Sequence, residues 1–340
     1  MQAIDREESQ NPRETDPSSS GRAPVVLSGK ARLKILGYIS ALMFTMAFSD
    51  PSNGLLDIPI SFMLKNKLNL NAEQVSQFRL IVSFPLFLSL LFGIARDSFG
   101  AALGGDRMII FCSALVSAVV YLVGGLHPFT YPSFITAIVI TTSCALFTAS
   151  AQNGLTATLG QRHAMCGQMS SVWNMFTAAP AAIAYIGGGF ISELLAALDP
   201  DHATQLLFIC GFLASIALAL VAGLGPECVY EDVRREDAAG RSPRDATARY
   251  FRSKTVYLPL AIWFLWNFSP ATGTALQFEL QNRLLGQDWE WGAWNATYTV
   301  SFMPAYLLFA WLCERVSLDR LLFWGTVFAI PQYATLLLAR

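Results

Sequence analysis

The sequence predicts an all-α integral membrane protein: a six-helix N-terminal bundle followed by three helices of a second bundle, nine transmembrane helices with the second half incomplete. Three observations predict this. Apolar runs of about 20 residues, enough to cross roughly 30 Å of hydrocarbon, recur along the chain with the charges gathered between them. Hydrophobic residues make up 54% of the 340 and charged ones 14%, with a mean hydropathy of +0.43, so there is more apolar surface than a soluble domain hides. The stretch FSDPSNGLLDIPISFMLKNKL at 48–68 returns as FSPATGTALQFELQNRL at 268–284, and both copies interrupt an apolar run with Pro and Gly.

The runs lie near 33–60, 75–94, 108–126, 133–155, 167–191 and 203–224, then 255–278, 291–312 and 321–338. Each is far longer than the roughly 10 residues of a barrel strand and none alternates with period two, so helices are expected. The first run is unusual because Pro51 and Gly54 break it and Asp50 and Asp57 flank the break. The second and eighth share an echo, Ser83-Phe84-Pro85 against Ser301-Phe302-Met303-Pro304, at nearly the offset that relates Lys65-Asn66-Lys67-Leu68 to Gln281-Asn282-Arg283-Leu284. In the fifth, Ala178-Ala179-Pro180-Ala181-Ala182 and Gly187-Gly188-Gly189 allow close helix approach and read as a packing and sliding surface.

Before the first helix, residues 1–32 are polar and contain DREESQNPRETDPSSSGRAP, which reads as a disordered cytoplasmic tail with no signal-peptide core. A long loop at 225–254, densely charged with both signs, separates the bundle at 33–224 from the partial bundle at 255–340. Three partners of the second unit would then lie beyond Arg340. With the N-terminus inside, cytoplasmic segments hold all the Lys and Arg except Lys65, Lys67, Arg79, Arg283 and Arg340, which fixes a cytoplasmic N-terminus in a multi-pass protein of the cell membrane.

After the second helix, Gly93-Ile94-Ala95-Arg96-Asp97-Ser98-Phe99-Gly100 matches, in part, an inside-loop signature of Gly, three residues, Asp, a basic residue, one residue and Gly. Ser98, Ala101 and Ala102 stand where that signature has bases, with Asp106-Arg107 following, and Glu314-Arg315 occupies the equivalent place in the second half. On this signature and the two-bundle plan, residues 33–340 resemble the major facilitator superfamily, whose fold is two six-helix bundles joined by a long cytoplasmic loop. Within it, ISFMLKNKLNLNAEQVSQFRLIVSFPLFLSLLFGIARD is similar to the folate-biopterin transporter family, although Pro85 is followed by Leu86 rather than Trp. The resemblance implies a secondary active transporter of a small organic solute, of folate or pterin type or another metabolite, working by alternating access with an ion or proton.

Polar groups at membrane depth are the candidate working residues, because an ionisable side chain there costs about 2.5–3.5 kcal/mol. Asp50 and Asp57 are the candidates for proton coupling, since a carboxylate in a partly dry site holds its proton more tightly. Against that stands a structural bridge from Asp57 to Lys65, Lys67 or Arg79 near the outer interface. The expected cavity residues are Asp50, Asn53, Gln152, Asn153, Trp173, Asn174, Asn267, Thr272 and Gln277, each of which could instead bond a neighbouring helix. Gly93, Arg96, Asp97, Asp106, Arg107, Glu314 and Arg315 would form a gate whose acids and bases pair in one state and separate in the other; ordinary positive-inside anchoring is the alternative.

No nucleophile with an adjacent base, no Gly-rich phosphate loop and no metal-ligand spacing occurs, so neither an enzyme nor an ATP-driven pump is expected and no cofactor or metal is implied. The bilayer, a small-molecule substrate and a proton are the expected partners, and nucleic acid is not. A non-transporting membrane assembly factor of the same fold, or a drug or metabolite efflux protein, would share every feature above.

Overall fold

The computed structural model describes residues 29–52, 54–103, 105–127, 130–163, 165–226, 229–230 and 288–304, with isolated positions at 252, 257, 261 and between 306 and 327. The described chain is helical: α1 (Gly29–Ser49), α2 (Asp57–Phe62) running into a π-helical turn (Met63–Lys67), α3 (Ala72–Phe87), α4 (Ser89–Leu103), α5 (Asp106–Leu126), α6 (Tyr131–Arg162), α7 (Cys166–Ala196), α8 (Pro200–Gly223) and α9 (Asp288–Ser301). Six stretches are long and apolar enough to cross a membrane: Gly29–Ser49, Glu73–Ser98, Asp106–Leu126, Tyr131–Arg162, Val172–Ala196 and Asp201–Gly223. They coincide with the six runs expected before the charged loop. The expected helices at 255–278 and 321–338, the tail before residue 29 and most of the loop at 225–254 lie outside the described residues.

Helix starts follow local chemistry. Asn71 caps α3 by accepting from the Gln74 N–H at 2.8 Å while the Gln74 side chain accepts from the Asn71 N–H at 3.0 Å, a reciprocal box. The Thr130 hydroxyl caps α6, and Pro132 and Pro200 sit in the first turns of α6 and α8, where a missing N–H costs nothing. Gly105, with φ of +100°, makes the turn into α5, a backbone setting that side chains disfavour.

The structure differs from the sequence reading in three places. Helix α1 begins at Gly29 rather than 33, because Lys30, Ala31, Arg32 and Lys34 are good helix formers with no breaker among them. The second apolar run is two helices: Pro85 has no N–H for the ladder, and Leu88 instead donates to the Pro85 carbonyl at 3.0 Å, making the turn between α3 and α4. Helix α4 then continues to Leu103, so the signature Gly93–Gly100 is helical and not a loop. Nothing between Ser89 and Leu103 stops a helix except isolated glycines, and those weaken one without ending it.

Two contrasting interfaces hold the bundle. Between α5 and α8 the seam is interlocked: Tyr121 and Phe208 are buried, a Cβ at Gly211 would come within 2.8 Å of the Tyr121 ring, and one at Gly124 would overlap the Phe208 ring. Phe134 of α6 stacks on both Phe208 and Phe78, with centroids 5.8 and 5.9 Å away, and ties α3, α6 and α8 into one cluster. Around α7 the contacts run through small residues. A Cβ at Gly188 would lie 2.7 Å from the Leu55 carbonyl, and one at Gly292 of α9 would lie 2.5 Å from the Tyr185 carbonyl and 3.4 Å from the Gly189 Cα. Large apolar side chains such as Leu80, Phe84, Phe87, Leu115, Val119 and Leu213 point outward, as helices solvated by lipid require.

Candidate functional site

A cavity of about 420 Å³ lies among α1, α6, α7, α9 and the chain just past α9. Its wall reads as helical stripes. On α7 they are Trp173, Thr177, Ala181 and Tyr185, each four residues from the last and so on one face, spanning about 18 Å of helix. From α9 onward Tyr298, Phe302 and Tyr306 repeat the spacing, joined by Thr299, while α1 gives Met43, Met46, Ala47 and, at its broken end, Asp50. Gln152 comes from α6.

Four of the residues expected in the cavity, Asp50, Gln152, Trp173 and Asn174, line it together. Asn153 does not: one residue round the helix from Gln152, it is exposed on another face of α6. Asn53, Asn267, Thr272 and Gln277 lie outside the described residues. Tyr185, Tyr298, Thr299 and Thr177 line the wall and were not anticipated, because each sits in an apolar run where such residues also serve as packing or interfacial groups.

The break after α1 sets the Asp50 carboxylate. Its Oδ1 accepts from the Ser52 N–H at 2.8 Å, the short turn that Asp favours, and Pro51 directs the chain away from the helix axis. Gly54 returns against α1, where a Cβ would come within 2.5 Å of the Asp50 carbonyl oxygen and overlap that of Ala47. A side chain at Gly54 would therefore force the break open.

Asp57 belongs to a different constellation. It pairs with Arg79 Nη1 at 2.7 Å, and the same guanidinium donates to Ser61 Oγ at 2.5 Å, so α2 and α3 are tied together away from the cavity lining. The structural bridge weighed for Asp57 is thus present, with Arg79 rather than Lys65 or Lys67 as the partner. Lys67 instead donates to the Ala196 carbonyl at 3.0 Å and to that of Leu198, where a cation suits the C-terminus of α7.

The expected gating residues divide in two. Arg96 makes a bidentate pair with Asp106, Nε to Oδ1 and Nη2 to Oδ2 both at 2.7 Å, and reaches Asp97 at 3.0 Å. Asp106 is only 4% exposed, so the pair is nearly desolvated at the start of α5, where the helix N-terminus also favours a carboxylate. Gly154 of α6 leaves the room: a Cβ there would overlap the Arg96 guanidinium. Gly93 sits on α4 with its open side toward Ser150 of α6.

Arg107 is separate from that pair. It donates to the carbonyls of Ala222, at 3.3 Å, and Gly223, closing the C-terminus of α8, and its guanidinium lies 5.9 Å from the centroid of the Tyr230 ring. The Tyr230 hydroxyl meets that of Tyr38, and Val229 is buried against Ile35, Ile39, Leu155 and Leu159, so the first turn of the charged loop is docked on the bundle. Burial, with the facing Tyr38, pushes the Tyr230 hydroxyl well above its usual range. Glu314 lies outside the described residues, and Arg315 is exposed.

Among the described residues there is no group of three or more His, Cys, Asp or Glu placed to hold a metal ion. The chain matches no protein-family model, and comparison with curated proteins and with solved structures gives no significant match.

Proposed function

We propose that the chain is a secondary active transporter of the major facilitator type, carrying a small organic solute across the cell membrane by alternating access with proton coupling at Asp50. The observation that carries this reading is the placement of the cavity. It lies between the six-span unit and α9, which follows the charged loop, and three of its lining residues, Asp50, Gln152 and Asn174, bring polar groups into a wall otherwise built from apolar and aromatic side chains. A solute held at such a junction is exposed to one side or the other as the two parts tilt. The broken end of α1 supplies a carboxylate at that junction, and ionisable groups among apolar helices are costly enough to require a use. In this reading Arg96, Asp97 and Asp106 hold one end of the assembly closed in one state of the cycle.

The test is uptake of labelled solutes into proteoliposomes holding the full chain under an imposed pH gradient. Asp50→Asn is expected to abolish the pH dependence while the protein still inserts and runs as a monodisperse species. Retained pH dependence in that variant would remove Asp50 from the coupling step, and absence of any gradient-driven uptake by the parent protein would remove the transport reading itself.

A further inference from the structure

The hydrogen-bonding capacity of the cavity wall is unevenly spent. The Thr177 hydroxyl donates to the Trp173 carbonyl at 2.8 Å, the Thr299 hydroxyl to Asn295 at 2.8 Å, and the Asn174 amide to Ser170 at 2.9 Å, so these groups have turned to their own helices. Gln152 has not. It is 0% exposed, yet neither its Nε2 nor its Oε1 bonds to any protein group, which is a costly state for two polar atoms in an apolar interior. A glutamine amide presents an N–H donor and a C=O acceptor side by side in one plane. Its complement is a group with the same pair reversed, namely a primary amide, a lactam or an amidine-like ring edge.

The charge of the wall narrows the class further. Asp50 is the single charged side chain among the described lining residues, and no Lys, Arg or His joins it. An anionic solute would therefore meet a like charge and no counter-charge, whereas a cationic one would meet a carboxylate in a site of low effective dielectric. Trp173, Tyr298 and Phe302 offer flat faces suited to a planar cation. Gln152 lies at the floor of the cavity, so a ligand reaches its amide by displacing a neighbouring side chain, and the lining includes the unbranched, adaptable Met43 and Met46.

We infer that the cavity binds a small planar organic cation bearing an amide-like edge, with the edge hydrogen-bonded in plane to Gln152 and the positive charge facing Asp50. This rests on the cavity of the proposed function, and narrows its solute from organic molecules in general to cations with a donor–acceptor edge. Anionic solutes are selected against.

Four pyridines of nearly one size separate the two contributions: 1-methylnicotinamide has both charge and amide, 1-methylpyridinium the charge alone, nicotinamide the amide alone, and nicotinate a negative charge. Binding of each to the full chain in lipid nanodiscs is measured by calorimetry with no gradient present. The expected order places 1-methylnicotinamide about tenfold tighter than 1-methylpyridinium or nicotinamide, with nicotinate weakest. Gln152→Leu, close in volume and free of the unbonded amide, is expected to lower 1-methylnicotinamide affinity about tenfold and leave 1-methylpyridinium unchanged. Asp50→Asn is expected to bring 1-methylnicotinamide down to the level of nicotinamide. Nicotinate binding as tightly as 1-methylnicotinamide, equal losses for both cations in Gln152→Leu, or binding of none of the four overturns the inference. The parent rank order requires no variant to fold. Because nothing crosses a membrane in this assay, the order can hold in a protein that transports nothing, and can fail in one that carries other solutes.

Discussion

Replacing Gly154 with Ala tests the Arg96–Asp106 pair without touching either partner. The new methyl would occupy the space of the Arg96 guanidinium, so the arginine must withdraw from Asp106, whose side chain is 4% exposed and accepts two bonds at 2.7 Å. Depriving a buried charge of its partner costs about 3–5 kcal/mol, and the lower end applies here because Arg96 is 19% exposed and can swing toward Asp97 and water. Against this, Gly to Ala within a helix gains about 1 kcal/mol. The net expectation for Gly154→Ala is a loss of about 2 kcal/mol. In an Arg96→Ala background the clash is gone and only the helical gain remains, so the same substitution should stabilise by up to about 1 kcal/mol. The sign reverses, giving a coupling near 3 kcal/mol. Denaturant titration of the four proteins in micelles reads this cycle, and equal effects of Gly154→Ala in both backgrounds would refute the argument that the methyl acts through Arg96.

Gly188→Ala should cost about 1–3 kcal/mol, because its Cβ would press on the Leu55 carbonyl, a backbone atom that cannot rotate aside. Gly37→Ala in α1, which meets nothing within 4 Å, should stabilise by about 0.5–1 kcal/mol under the same titration. Asp57→Asn should destabilise by about 1–2 kcal/mol through loss of the Arg79 pair and leave any pH dependence of uptake intact, which separates it from Asp50 in one pair of measurements. For Tyr230 the folded hydroxyl titrates above its unfolded value of 10.0, so its contribution is fully present below about pH 10 and falls as pH rises further. Thermal melts between pH 9 and 11 should show that decline, and Tyr230→Phe should lessen it after an initial loss of about 1 kcal/mol for the bond to Tyr38.

The six spans before the charged loop were legible because lipid imposes one requirement on each, a run of sufficient length, and the composition of such a run is visible without knowing its neighbours. The break after α1 was legible for a related reason: Pro51 lacks an N–H wherever it sits. The turn at Leu88 was not. Leu88 carries no signal, and the cause lies three residues earlier in a Pro85 that many helices would absorb. The extension of α4 through Gly100 was hidden because a motif remembered as a loop outweighed a segment with no strong stop.

The site was partly legible. Asp50, Gln152, Trp173 and Asn174 were recognised as polar or aromatic groups within apolar runs, yet the same criterion selected Asn153, and only the rotation of α6 separates it from Gln152. A better signal was present in the spacing: Trp173, Thr177, Ala181 and Tyr185, or Tyr298, Phe302 and Tyr306, fall on single helical faces, and a polar–aromatic stripe of that period among Leu and Ala points to a wall. The partner choice of Arg96, Arg107 and Asp57 had no such signal. Which base meets which acid depends on helix packing that pattern alone leaves open.

The two kinds of interface determine where the proposed cycle can move. Sliding α8 past α5 would drag the Tyr121 and Phe208 rings out of the spaces left by Gly211 and Gly124, so side chains packed at interior density would clash before any displacement was complete. At α7 and α9 the backbones meet through Gly188, Gly189 and Gly292, and a seam without interdigitated side chains offers few steric steps to a sliding helix. The cavity is walled by these same two helices, so relative motion at their seam changes its width directly, while the α5–α8 lock keeps the remainder of the six-span unit in one piece. A bulky residue at Gly292 would convert the smooth seam into a locked one. Gly292→Leu should therefore slow or abolish tracer uptake, and solute binding in nanodiscs should fall far less than uptake. Uptake that survives at the parent rate in a folded Gly292→Leu protein would locate the moving seam elsewhere.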